Sequence, residues 1–299
     1  MVTALLRLRA FALHVALLLG AAPLLEGLRR WFAARLLGEA GPPPWQPWRD
    51  LARLARKQAV RGEGAGAVAL AGPTVDFAAS LAAAALVPGF AYGMATAPAA
   101  DLILFAGLLM LARVARALTA MEVGTAPGGI AAAAVMSRAS LAEPALLLAI
   151  FALALAAGGS NIDAVAMQPG PAATAPRALA LVALALVAFA QTRRAEALSR
   201  ELSGWPLALA NGAAALRLTA VLSLIAALFL PWGITAADGL PLLWPAGVVL
   251  WGVKLALLTA GLAAAETLLV PPPLPRLLGV AAVLAWLAVA LFCAGQRAT

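Results

Sequence analysis

PLALANGAAALRLTAVLSLIAALFL, residues 206–230, decides the fold: 25 residues carry a single charge, Arg217. At about 1.5 Å rise per residue a helix of that length covers ~37 Å, more than the ~30 Å hydrocarbon core of a bilayer. In such a solvent every backbone N–H and C=O must be satisfied within the segment, so the stretch is a transmembrane helix. Working outward, similar stretches lie at 5–25, 68–91, 99–119, 141–158, 178–198, 242–264 and 277–295. The chain of 299 residues is 64% hydrophobic and 11% charged, with mean hydropathy +0.96, against roughly half apolar and a quarter charged in soluble domains. It is read as an all-α integral membrane protein, a bundle of about eight transmembrane helices forming one domain over 1–299. No separate soluble domain, long linker or internal repeat interrupts it, and 158–177, rich in Gly and Pro, is an irregular connection.

The formal net charge of +8 follows topology, not a nucleic-acid surface. The connection at 26–62 holds Arg29, Arg30, Arg35, Arg49, Arg53, Arg56, Lys57 and Arg61, and Arg113, Arg116, Arg138, Arg193, Arg194, Arg200 and Arg276 fall on the same side. Only Arg7, Arg9, Arg177 and Arg297 fall on the other. The positive-inside rule then places the basic connections in the cytoplasm of a bacterial inner membrane and both termini outside it. Arg7 and Arg9 before an apolar run imitate a signal peptide, but the run passes directly into Glu26 and a basic segment, and no cleavage is expected. Trp31, Trp45, Trp48, Trp205, Trp232 and Trp244 lie near span ends, where an indole anchors in apolar chain with its N–H toward water. The abundant Ala and Gly allow close helix approach where lipid provides no drive between helices.

The chain has one cysteine, Cys293, and one histidine, His14, so it cannot build a disulfide, a zinc site, a haem site or an iron–sulfur site by itself. GTAPGG at 124–129 lacks the strand and the Lys–Ser/Thr pair of a phosphate-binding loop. His14, within the first span, is expected as a helix-packing residue. What remains are ionisable residues in or beside spans, which are costly in hydrocarbon and face a bundle interior or a wet cavity. They are Asp76, Asp101, Glu122, Glu143, Glu196, Glu201, Arg217, Lys254 and Glu266. Lys254, mid-span with no charge within a turn, has to find a partner elsewhere or lose its proton. Asp76 and Asp101, near read span ends, are expected at the solvated interface, and Glu143 in the first turn of a span beginning at 141. Glu196 and Glu201 are five residues apart, roughly 140° around a helix. Arg193 and Arg200 flank Glu196, so a neutralised surface network and a proton-path role both stay open.

GPPPWQPWRDLARLARK at 41–57, MEVGTAPGG at 121–129, LAEPALLL at 141–148, EALSRELSGWPLAL at 196–209, and Lys254 followed by ETLLVPPPLPRLLG at 266–279 form an ordered series. In it the chain resembles the integral-membrane subunit of formate hydrogenlyase and other energy-converting hydrogenases, the hydrogenase-4 component C type, related to subunit 1 of respiratory complex I. The GPPPWQPWRD form and Glu266 are similar to the hydrogenase branch, whereas complex I proteins carry a longer GP-containing form and basic residues. The resemblance covers almost the whole chain. It departs at Ala133, Ala134 and Val135, where the family has Ser, Arg and Glu, and at Ala188, Phe189, Ala190, Gln191 and Thr192, where the family has His-Leu-Glu-Leu-Thr.

The resemblance implies an eight-helix, complex I subunit 1-like bundle. Glu143, Glu196 and Glu201 match acids at the start of a proton path, to which Glu122, Lys254 and Glu266 are added. The connection bearing Gln46, Arg49, Asp50, Arg53 and Lys57 is expected to dock a hydrogenase-like large subunit and an iron–sulfur small subunit, with antiporter-like subunits alongside in the bilayer. Nickel–iron and iron–sulfur centres belong to those partners; the chain itself binds no cofactor or metal and no nucleic acid. Two other readings differ in outcome. A purely structural anchor loses assembly, not coupling, when the acids are removed; an autonomous transporter moves substrate alone, although the inverted repeats and broken helices common in that class are not found.

Overall fold

The computed structural model describes residues 2–60, 66–122, 124–167, 174–192, 202–268 and 273–297. The helices are α1 (Val2–Leu36), α2 (Gln46–Ala55), α3 (Val68–Leu86), α4 (Leu102–Glu122), α5 (Ala126–Ala157), α6 (Ile162–Met167), α7 (Thr174–Thr192), α8 (Gly204–Phe229), α9 (Trp244–Leu268) and α10 (Leu274–Arg297). Among the described residues seven helices, namely α1, α3, α4, α5, α8, α9 (here taken from Pro241) and α10, are long and apolar enough to cross a membrane, and α7 adds a shorter apolar helix over Ala175–Ala190. The span read at 178–198 coincides with α7 as far as Thr192; the rest lies outside the described residues.

The stretch that opened the reading, α8, is the axis of the bundle. Of its apolar window 89% is buried, against 28% for α9 and for α10, whose outer faces are left for lipid. α3 packs between α4 and α8, α10 lies against α5 and α7, and α1 lies against α9 and α8. Close crossings depend on missing side chains: a Cβ at Gly72 of α3 would stand 1.9 Å from Thr119 Oγ1 and 3.1 Å from the Ala115 carbonyl of α4.

Two span boundaries require correction. The fourth helix starts at Ala126, not 141. Thr125 caps it by accepting the Gly128 N–H at 3.0 Å, and a proline stands in its first turn. The polar residues before 141 fold back on their own helix: Ser137 Oγ and Arg138 Nε donate to the Ala134 carbonyl at 3.3 and 3.0 Å, and Ser140 Oγ to the Ser137 carbonyl at 2.9 Å. The first helix runs to Leu36, 35 residues or about 52 Å, well beyond one bilayer crossing.

After α1 the chain doubles back. A Cβ at Gly27 would stand 1.8 Å from the Pro44 carbonyl, and Trp48 Nε1 donates to the Gly20 carbonyl at 3.1 Å. Gly20 lies in the turn before Pro23, whose missing N–H removes one bond of the helical ladder, so the indole fixes α2 to this turn of α1. Trp48→Phe removes a bond worth about 1 kcal/mol. Tryptic cleavage at Arg53, Arg56 or Lys57 is expected to speed up roughly fivefold, and an unchanged cleavage rate would show that the bond does not hold the segment.

At the other end Arg7 of α1 pairs with Asp238 at 2.7 Å, which puts the chain's beginning beside the α8–α9 connection. That end is knitted by β1 (Ala91–Tyr92) and β2 (Thr235–Ala236), paired in parallel. Asp101 accepts the Ile103 and Leu104 N–H groups at 2.6 and 3.3 Å at the entry of α4, and the Ser160 hydroxyl with these amides holds its carboxyl below the usual range.

Candidate functional site: a buried charge network

Five ionisable side chains from four helices meet inside the bundle. Asp76 is the ninth residue of α3 and is fully buried, and Arg217, near the middle of α8, is 4% exposed. Arg217 Nη1 donates to Asp76 Oδ1 and, at 3.1 Å, to Ser80 Oγ, which itself donates to the Asp76 carbonyl at 2.6 Å. Arg116 Nε of α4 stands 3.7 Å from the same carboxylate oxygen. One turn earlier on α4, Arg113 Nη1 pairs with Glu143 Oε1 of α5 at 3.2 Å, with 6% and 22% of their side chains exposed. Arg113 and Arg116, three residues apart, share one side of α4 and so reach toward both neighbours.

The expectation that Asp76 is solvated at the interface is therefore overturned. α3 extends over Val68–Leu86, with residues 87–91 outside it, and this leaves Asp76 at mid-helix beside the guanidinium of α8. Glu143 is likewise not a first-turn acid: with α5 starting at Ala126 it sits in the helix interior, paired across to α4. Asp76 and Arg217 are both ionisable residues in or beside the read spans, but nothing in the sequence relates one to the other. Burying charge is affordable only with such pairing and added hydrogen bonds, which the Ser80 hydroxyl supplies here. Among the described residues Asp76 Oδ2 and Arg113 Nη2 are buried without a hydrogen-bond partner, one acceptor and one donor within the network.

The other predicted residues divide by position. Glu266, in the last turn of α9, accepts from Arg29 Nη1 at 2.5 Å; Arg29 Nη2 and Arg30 Nε reach the buried Glu26 at 3.0 and 2.9 Å, tying α1 to α9. Glu122 ends α4, half-buried, with Oε1 so close over Gly66 that a Cβ there would stand 2.2 Å away. Both lie at the α2 end. Lys254 lies toward the opposite end: Nζ donates to the Leu230 carbonyl at 2.6 Å and to the Trp232 carbonyl, 4.5 Å from the centre of the Trp232 ring. Glu196 and Glu201, with Arg193, Arg194 and Arg200, lie outside the described residues. Of the departures, Ala190 is buried in apolar contact with Ala142, Phe189, Leu277 and Leu278, so no titratable group occupies its place between α7 and α10.

On α2, Gln46 Nε2 donates to Asp50 Oδ1 at 3.1 Å and Arg53 Nη1 stands 4.0 Å from the same oxygen. Pro47 faces the bundle, while Arg49 and Arg53, about 40° apart around the helix at about 100° per residue, are exposed, as are Arg56 and Lys57 just beyond its end. His14 is fully buried, its ring centroid 6.2 Å from that of Phe90 and 6.0 Å from that of Trp251.

This architecture has known counterparts. The model of the family described as NADH dehydrogenase matches residues 8–277. Hydrogenase-4 component C of Escherichia coli (strain K12) is 32% identical over 238 residues, 75% of this chain and 76% of that protein. Formate hydrogenlyase subunit 4 of the same organism is 32% identical over 145 residues, 48% and 47% of the two chains. A chain in the structure of the membrane-bound sulfane sulfur reductase, an archaeal respiratory membrane complex, superposes with a TM-score of 0.76 at 19% identity, covering 97% of this chain and 99% of that one, and shares the fold. With its apolar helices and central charge network, the chain belongs to the NADH dehydrogenase family, as a multi-pass membrane protein of the complex I subunit 1-like type.

Proposed function

We propose that the chain is the integral-membrane subunit of a hydrogenase or formate hydrogenlyase-like redox complex, anchoring a redox arm at its α2 end and carrying charge into the bundle. The observation that supports this most is the pairing of Asp76, Arg116 and Arg217 beside Glu143 and Arg113, charges kept in hydrocarbon surroundings at a cost that a mere anchor does not require. The arginine distribution supports an α2 end in the cytoplasm of a bacterial inner membrane, with both termini on the far side. The partners are a nickel–iron large subunit, an iron–sulfur small subunit and antiporter-like membrane subunits, and the redox centres belong to them.

The mechanism is electrostatic. Reduction or oxidation in the docked arm changes the field at the α2 end, the proton affinity of a partly buried carboxylate follows, and a proton moves inward. Glu122 and Glu266 stand at that entrance, Glu143 is the partly exposed acid next to Arg113, and Asp76 is the inner acceptor. Glu196 and Glu201 keep the path role implied by the resemblance. A second reading, an anchor without translocation, is favoured by the apolar contact at Ala190.

The exposed cations of α2 provide the docking test. Arg49→Glu with Arg53→Glu reverses two exposed charges that do not enter the bundle, at the small cost of the exposed Arg53–Asp50 contact. The chain is expected to stay in the membrane at normal abundance while recovery of the redox arm in a pull-down falls at least about tenfold, one factor of ten being ~1.4 kcal/mol. Undiminished recovery would remove α2 from the docking surface.

A further inference from the structure

Lys254 is one of two lysines in the chain, with Lys57. It is 3% exposed, on the buried side of α9 with Trp251 and Leu255, and among the described residues no carboxylate lies within ion-pair distance of it. The Leu230 carbonyl at 2.6 Å, the Trp232 carbonyl and the face of the Trp232 indole at 4.5 Å surround its ammonium, enough to occupy all three of its N–H donors. Leu230 caps the C-terminus of α8, the negative end of that helix's dipole. Arg217 lies 13 residues earlier on the same helix, about 20 Å along its axis, and buried Leu224, Ile225 and Leu228 fill the interval.

We propose that Lys254 is a positioning residue whose ammonium is the tethered occupant of a small-cation cradle, latching the 230–237 connection onto α9 and closing the end of the bundle opposite α2. The segment it grips is built to be held. Gly233 turns with φ +76°, and a Cβ there would stand 2.6 Å from Leu250 Cδ1, one turn before Lys254. The chain then enters β2, where Thr235 N donates to the Phe90 carbonyl at 2.9 Å and Ala237 N to the Tyr92 carbonyl at 2.8 Å. Phe90 in turn packs against His14 and Trp244. Holding the carbonyls of 230 and 232 therefore sets the strand that bonds Phe90, whose ring contacts His14 of α1 and Trp244 of α9. A fixed cation at this end also opposes passage of protons and metal cations. The ligand class of the cradle is a primary alkylammonium, for which the lysine is the built-in example.

Lys254→Ala removes Cγ to Nζ, the atoms of n-propylammonium. The full chain with its bound partners, purified in mild detergent, is expected to melt at a lower temperature when so substituted, and n-propylammonium is expected to restore the midpoint while leaving wild type unshifted. Tetramethylammonium, which has no N–H, is expected not to restore it. Independently, a water-soluble amine-reactive ester applied to opened vesicles is expected to label Lys57 and spare Lys254, and Trp232→Ala is expected to raise Lys254 labelling about tenfold. The labelling decides if Lys254→Ala cannot be recovered with or without the amine. The cradle is overturned if Lys254→Ala is as stable as wild type and indifferent to the amine, or if Trp232→Ala leaves Lys254 labelling unchanged. A stable Lys254→Ala complex that has lost proton translocation also overturns it and returns the lysine to the charge path.

Discussion

Asp76→Leu is expected to remove the chain from the membrane almost completely. The substitution takes away the carboxylate that both Arg217 Nη1 and Arg116 Nε face and leaves the Arg217 guanidinium, among the described residues, with Ser80 as its remaining hydrogen-bond partner in a helix that is the axis of the bundle. Breaking a buried pair from one side typically costs about 3–5 kcal/mol, because the remaining charge keeps its desolvation cost and loses its compensation. That is a large share of the ~5–15 kcal/mol by which a folded protein usually exceeds its unfolded state. Replacing both members is far milder, since an apolar pair of similar volume is often neutral. Asp76→Leu with Arg217→Met removes the two most buried charges and leaves only Arg116, whose side chain is 22% exposed, without its carboxylate, so it is expected to recover most of the abundance and of the thermal midpoint in mild detergent, while proton translocation stays lost. A single Asp76→Leu variant as abundant as wild type would mean that the pair does not hold α3 to α8.

Glu143→Gln is expected to do the reverse: assemble normally and fail to couple. The amide oxygen still accepts from Arg113 Nη1, the helix keeps its length, and the site, 22% exposed on the Glu143 side, tolerates the lost charge at a cost of about 1 kcal/mol. What disappears is the group that binds and releases a proton. Loss of a positioned acid–base group slows proton transfer about 10²–10⁴-fold, so proton translocation per turnover in reconstituted vesicles should fall at least about tenfold. Translocation and turnover both at the wild-type level would favour the anchor reading.

The two variants separate what a sequence of this kind discloses from what it hides. Eight apolar stretches are local properties, and they were sufficient for the membrane fold because hydrocarbon admits so few backbone solutions. The family was legible for the same reason: its motifs are short, continuous and ordered along the chain. Pairing was not legible. Asp76 and Arg217 are 141 residues apart, and no periodicity relates them. Glu143 was misplaced because Ser137, Arg138 and Ser140 look interfacial until they are seen to bond their own helix carbonyls. Lys254 was expected to find a partner elsewhere or lose its proton, and the partner it found is a pair of carbonyl groups at the end of α8, which has no side-chain signature at all.

Mild-detergent affinity purification of the tagged chain, with mass spectrometry of what remains bound, tests the central claim most directly. The account predicts a nickel–iron hydrogenase-like large subunit, a small iron–sulfur subunit and an antiporter-like membrane protein in comparable amounts. A chain that purifies alone, intact and stable, and moves a substrate in liposomes would contradict it.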